Sequence, residues 1–150
     1  MVRGAPRGPG FFLINPEVAG GLGENTVIHR NRVPPRVERL HYEFEDWLGD
    51  DLVESYPCFV VTLEMGERLA RAELTGFVLR DVEVSTSDTF QELHPGRLPE
   101  FRWLDVDVTP GEDDFGLDER ARLVVSEKAL DVLRTGSLDH CAVAPWPDEF

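Results

Sequence analysis

Apolar residues along this chain gather into short strand-like runs, and two of those runs lead straight into amphipathic helices. From Arg122 to Leu133, the run Leu123-Val124-Val125 passes through Ser126 into Glu127-Lys128-Ala129-Leu130-Asp131-Val132-Leu133. The β-branched run predicts a strand and Ser126 an N-cap. Ala129, Leu130 and Leu133 form the buried helix face, and Gly136 ends the helix. An earlier passage follows the same plan. Phe59-Val60-Val61 predicts a strand and Thr62 a cap, and Met65, Leu69 and Ala72 recur at helical spacing. Gly76 turns the chain into Phe77-Val78-Leu79 and Val82-Glu83-Val84, which read as strand. Gly66 costs this helix about 1 kcal/mol relative to alanine, so it is the weaker of the two.

A shift of 64 residues superposes the two passages without a gap, matching Val60-Val61 with Val124-Val125, Thr62 with Ser126, and Leu69 with Leu133. The units 58–84 and 122–146 are either a duplication or two generic strand-cap-helix-strand passages, and the pattern leaves both readings open.

The remaining stretches supply further strands. Phe11-Phe12-Leu13-Ile14 is a buried strand stopped by Asn15-Pro16. Gly20-Gly21-Leu22-Gly23-Glu24-Asn25 reads as a mobile surface loop, because it has neither a Gly-Lys-Ser/Thr ending nor a G-x-G-x-x-G frame. Thr26-Val27-Ile28-His29 is a short strand. From Val37 to Trp47 the period is two, with Leu40, Tyr42 and Phe44 on one face and Arg39, His41, Glu43 and Glu45 on the other. Ser87 or Asp88 can cap a short helix that Pro95-Gly96 stops. Phe101 to Val108 alternates again, with Asp105 and Asp107 on a face expected to be solvated. Cys141-Ala142-Val143 returns as a strand. The predicted class is α+β, a mixed or mostly antiparallel sheet with a few short helices packed on it. Residues 1–10, rich in Gly, Pro and Arg, read as a flexible leader to a single domain over 11–150.

Charge changes the picture more than length does. The chain holds 29 Asp plus Glu against 15 Lys plus Arg, a formal net charge of −14. Such a surface repels nucleic-acid phosphates and anionic membranes and draws in basic partners, so direct nucleic-acid binding is not expected. No run has the length of a membrane span and no apolar signal core follows Met1, so a cytoplasmic location is expected. Cys58 and Cys141 sit beside apolar strand residues, as buried free thiols do, and do not make a disulfide framework.

Catalytic and metal patterns are weak. His29, His41, His94 and His140 are scattered, neither cysteine has a C-x-x-C partner, and the Glu112-Asp113-Asp114 run lacks the EF-hand arrangement. Neither a metal nor another cofactor is predicted. Ser126 and Thr62 are explained by capping, and no G-x-S-x-G occurs, so no catalytic residue is named. Aromatic residues ringed by acids stand out instead. One set is Glu43, Glu45, Asp46, Trp47, Asp50 and Asp51; the other is Glu112, Asp113, Asp114 and Phe115. An aromatic anchor with acidic neighbours suits a basic protein partner, the anchor giving burial and the acids steering. Equally, Trp47 and Phe115 could pin their own loops to the core. A pocket holding His41, Glu43 or Asp105 is the alternative expectation, that of a small enzyme or ligand-binding domain; a structural module of a larger assembly is a third.

Asp114-Phe115, the run Leu123-Val124-Val125-Ser126-Glu127, the helix Ala129-Leu130-Asp131-Val132-Leu133, Leu138 and Pro145 together resemble immunity-protein families of bacterial polymorphic toxin systems. The likeness covers about a third of the chain, and its motif is a strand, a cap and a helix. From Leu40-His41-Tyr42-Glu43-Phe44 to Cys58 the chain resembles uncharacterised actinobacterial proteins. The resemblance implies a non-catalytic protein that neutralises a cognate toxin by direct binding.

Overall fold

The structure, a computed structural model, describes residues 10–147. The expected leader therefore lies, Gly10 apart, outside the described residues. In chain order the elements are β1 (Phe11–Asn15), β2 (Gly20–Leu22), β3 (Val27–His29), β4 (Arg36–Arg39), β5 (His41–Phe44), β6 (Leu52–Ser55), β7 (Cys58–Thr62) and α1 (Leu63–Arg71). There follow β8 (Val78–Arg80), β9 (Glu83–Thr86), α2 (Asp88–Leu93), β10 (Phe101–Asp105), β11 (Phe115–Leu117), β12 (Leu123–Ser126), α3 (Glu127–Leu133) and β13 (Ala142–Pro145). The fold is α+β, with mostly antiparallel sheets and three short helices. β5 and β9 form the parallel pair among the described strands.

Two four-stranded sheets share one plan. Their orders are β6-β7-β10-β8 and β11-β12-β1-β13, all neighbours antiparallel. Each begins with a hairpin, β6-β7 or β11-β12, whose second strand runs into a helix capped by a hydroxyl. Thr62 accepts from the Met65 N–H, and Ser126 from the Ala129 N–H. The return strands β8 and β13 lie at the same 64-residue offset. In one sheet the central partner strand, β10, comes later in the chain; in the other it is β1, at the beginning.

The continuous apolar run of β7 has a packing reason. Phe59 and Val61 enter a core with Met65, Leu69, Leu123, Val125, Leu130 and Leu133, in which α1 and α3 pack together. Cys58 and Val60 point the other way, into a second core with Tyr42, Phe44, Phe90, Phe101 and Trp103. The β6-β7-β10-β8 sheet is thus covered on both faces, where an alternating pattern has no use.

Several expectations need correction. Gly20–Leu22 is a strand paired with β5, not a loop, and Gly20 is required because a Cβ there would overlap the Glu43 carbonyl. The segment Val37–Trp47 breaks at Leu40 into β4 and β5. The loop given to Trp47 and its acids runs directly into a strand, β6, and Phe115, read as sitting in a loop, lies in β11. His41, expected on a solvated face, is buried beneath the 23–25 segment. Its Nδ1 accepts from the Asn25 N–H at 3.2 Å, which leaves Nε2 to donate to Ser85 Oγ at 2.7 Å. Asp105 is buried as well, paired with Arg36 and Arg80.

Candidate functional site

The acids singled out in the sequence divide into an internal set and a surface set. Asp51 and Asp114 are internal and play matching parts. Asp51 Oδ1 accepts from the hydroxyl of the cap Thr62 at 2.7 Å, and Oδ2 from the Ser137 N–H at 2.7 Å. Asp114 Oδ1 accepts from the cap Ser126 at 2.7 Å, and Oδ2 from the Thr75 N–H at 2.9 Å. Each carboxylate therefore orients the cap of its own unit and ties down the loop after the other unit's helix. Burial by itself would raise the Asp114 pKa; hydrogen bonds from Ser126 and Thr75 outweigh it and hold the carboxyl below its ordinary value. Asp50 and Phe115 are fully buried and cannot offer a surface to a partner as the fold stands. Asp113 is half-buried beside Gly76, and Glu112 alone of that run is exposed.

Trp47 is half-buried. Its indole N–H donates to the Asp50 carbonyl at 2.9 Å, and its ring meets Phe101 edge-on with centroids 5.8 Å apart. Both contacts pin the 45–50 loop to the second core. Trp47→Ala should accordingly lower stability by about 2 kcal/mol, less than a fully buried Trp would lose, in urea unfolding followed by circular dichroism. An unchanged midpoint would make Trp47 a surface anchor instead.

The exposed members of the first patch lie beside a stretch that the sequence did not flag. The N–H groups of Glu45 and Asp46 donate to the Ala19 carbonyl, and the Leu48 N–H donates to Glu17 Oε2 at 2.7 Å. Residues 17–19 and 45–48 are thereby laid side by side. Val18 and Leu48, 67% and 55% exposed, project beside the exposed Glu45 and Asp46. Asp46 also pairs with His94, which brings the exposed Leu93 to the same corner. His94 and the Trp47 N–H hold the Asp46 carboxyl below its ordinary pKa. Glu43 is half-buried opposite Gly21.

Below this corner lies a cluster drawn from three distant parts of the chain. Asp50 Oδ2 accepts from the His140 N–H at 2.8 Å, and Oδ1 lies 3.0 Å from His140 Nδ1. One oxygen each of Glu17 and Asp50 and a ring nitrogen of His140 lie within 4.8 Å of one another. Asp50 raises the His140 pKa; burial raises that of Glu17, with the Asp50 charge adding to it. No spacing rule joins positions 17, 50 and 140, and the available signals, an acid after Asn15-Pro16 and a His in the Asp139-His140 turn, are too common to use.

Glu54 is a further acid, partly buried, its pKa pushed up to about 7 by burial. The folded chain therefore keeps a proton that the unfolded chain, with an ordinary glutamate pKa of about 4.3, releases. This ionisation subtracts from stability as pH rises from the unfolded value through about 7. Glu54→Gln should raise stability at pH 8 by about 1 to 2 kcal/mol, discounted for its half-exposed setting, and by almost nothing at pH 4. Denaturant midpoints at the two pH values check this.

His41, Glu43 and Asp105 do not share a pocket: the cavities that Asp105 lines include neither of the others. A cleft of about 780 Å³ is lined by Arg32, Arg120, Arg122, Asp107, Asp118 and Trp146 among others, with no His, Cys or Ser among the described residues. Arg32 is paired there with Asp107, and Arg122 with Asp118. The Cys58 thiol is pushed up to about 12 and the Cys141 thiol to about 11, both by burial, so neither is an activated nucleophile. No helix among the described residues is long and apolar enough to cross a membrane. The sequence matches no model of a known protein family, and no curated protein is similar to it.

Proposed function

We propose that this protein is a non-catalytic acidic binding protein whose partner is a basic protein. The observation that carries the reading is the pair of exposed aliphatic side chains, Val18 and Leu48, flanked by Glu45 and Asp46 at one corner. Apolar side chains supply burial at the centre of a contact, while surrounding carboxylates exclude other acidic surfaces and speed the approach of a basic one. The net charge of −14 extends that steering over the whole molecule. The strand-cap-helix pattern of the C-terminal third, read in the sequence as resembling immunity-protein families, motivates a more specific reading, in which the partner is a cognate bacterial toxin and binding neutralises it.

Co-expression with the toxin-like product of a neighbouring gene tests both levels. The expected result is a stable complex and rescue of growth, both lost in a Leu48→Asp, Glu45→Lys double variant that still folds. A complex unaffected by that variant would remove the corner from the reading. Absence of complex and rescue would remove the toxin.

A further inference from the structure

The Glu17–Asp50–His140 cluster contains a polar atom that the other described residues leave without a partner. Glu17 is only 8% exposed, its Oε2 accepts from the Leu48 N–H, and its Oε1 is buried with no hydrogen-bond partner among the described residues. A buried carboxylate oxygen in that condition costs about 1 to 3 kcal/mol, more when charged. Protonating it does not resolve the matter, because a carboxylic O–H also needs an acceptor. The same side chain belongs to a group whose other members are Asp50, fully buried, and His140, with 42% of its side chain exposed. His140 is the solvent-exposed member of the three.

We propose that Glu17, Asp50 and His140 form a binding site for a divalent cation of the zinc type. The ligand atoms are one oxygen of each carboxylate and one imidazole nitrogen. Imidazole selects a first-row transition ion over magnesium or calcium, which prefer oxygen shells. Three protein ligands leave a fourth position of a tetrahedral ion open to water. Bonds of roughly 2.0 to 2.2 Å to one tetrahedral ion set ligand atoms about 3.4 Å apart, and the three candidate ligand atoms already lie within 4.8 Å of one another. A bound cation also gives the buried Glu17 carboxylate, whose Oε1 has no hydrogen-bond partner among the described residues, a counter-charge. The site is independent of any protein partner, and its test needs none.

The full chain, stripped with a chelator, is titrated with zinc chloride at pH 7.5 by calorimetry, and its thermal midpoint is read with and without the ion. The expected result is one saturable site and a higher midpoint, with Glu17→Gln and His140→Ala each weakening binding at least tenfold. His94→Ala, which removes the imidazole paired with Asp46, should leave affinity unchanged. Circular dichroism of the metal-free variants establishes that each folds; the exposed His140 makes His140→Ala decisive if Glu17→Gln does not. No saturable binding, an affinity unchanged by His140→Ala, an equal loss in His94→Ala, or magnesium binding as tightly as zinc would each overturn the proposal.

Discussion

Phe115→Ala is expected to destabilise the protein by about 3 to 5 kcal/mol, the range for emptying a fully buried aromatic site. Phe115 has no exposed surface. Its ring meets Phe77 in a T-shaped contact with centroids 5.0 Å apart, and it packs in the core that also holds Leu74, Leu123 and Val125. Its backbone is equally committed: its N–H donates to the Thr75 carbonyl, and β11 is hydrogen-bonded to β12. The core on that side is filled from both units, so the surrounding side chains cannot close the cavity without moving α1 or α3. Phe115→Leu keeps most of the volume and should cost less than about 1.5 kcal/mol. Urea unfolding of the two variants separates this from the reading of Phe115 as a partner anchor, under which Phe115→Ala would keep its midpoint and lose only binding.

Phe115 also illustrates what a sequence can carry. The acids on either side of it made the stretch look like a surface loop, while the fact that decides its place, strand pairing of Phe115-Gly116-Leu117 with Leu123-Val124-Val125, is a contact outside the stretch itself. What could be read directly was local. The strand-cap-helix passages at Thr62 and Ser126 depend on neighbours three residues away and appear in the structure as expected, and of the two candidate caps Ser87 and Asp88 the structure uses Ser87. The three missed strands are short and owe their conformation to partners: Gly20–Leu22 to β5, Leu52–Ser55 to β7 and Phe115–Leu117 to β12. Charge was equally ambiguous. Asp46 and Asp51 look alike in sequence, yet Asp46 is exposed, whereas Asp51 receives the Ser137 N–H from a loop 86 residues away. The Glu17–Asp50–His140 cluster was hidden for the same reason, since its members meet only when β1, β6 and β13 are in place.

Asp105 is where this ambiguity has the largest energetic consequence after Phe115, and Asp105→Ala should cost about 3 kcal/mol near neutral pH. The carboxylate is 6% exposed at the end of β10. Arg36 holds it with two parallel bonds, Nη1 to Oδ1 and Nη2 to Oδ2, both 2.9 Å, and Arg80 Nε donates to Oδ2 at 2.7 Å. Arg36 in turn lies over the Trp103 ring at 5.8 Å. Loss of the carboxylate leaves two guanidinium groups facing each other across a buried strand end, although both are partly exposed and regain some water, which keeps the cost below that of a fully buried triad. The pH dependence has a definite sign. Burial would raise the Asp105 pKa, but the hydrogen bonds and charges of Arg36 and Arg80 outweigh it and hold the carboxyl below its ordinary value. The unfolded chain therefore takes up a proton first as pH falls. The stabilisation is complete above the unfolded pKa of about 3.9 and is lost as pH drops through the lower folded value. The difference between the native chain and Asp105→Ala should be fully present in urea unfolding at pH 7 and shrink below pH 4. A double-mutant cycle with Arg36→Ala should assign a substantial share of it to that pair. A difference that does not change with pH would mean that Asp105 contributes through packing rather than through its charge.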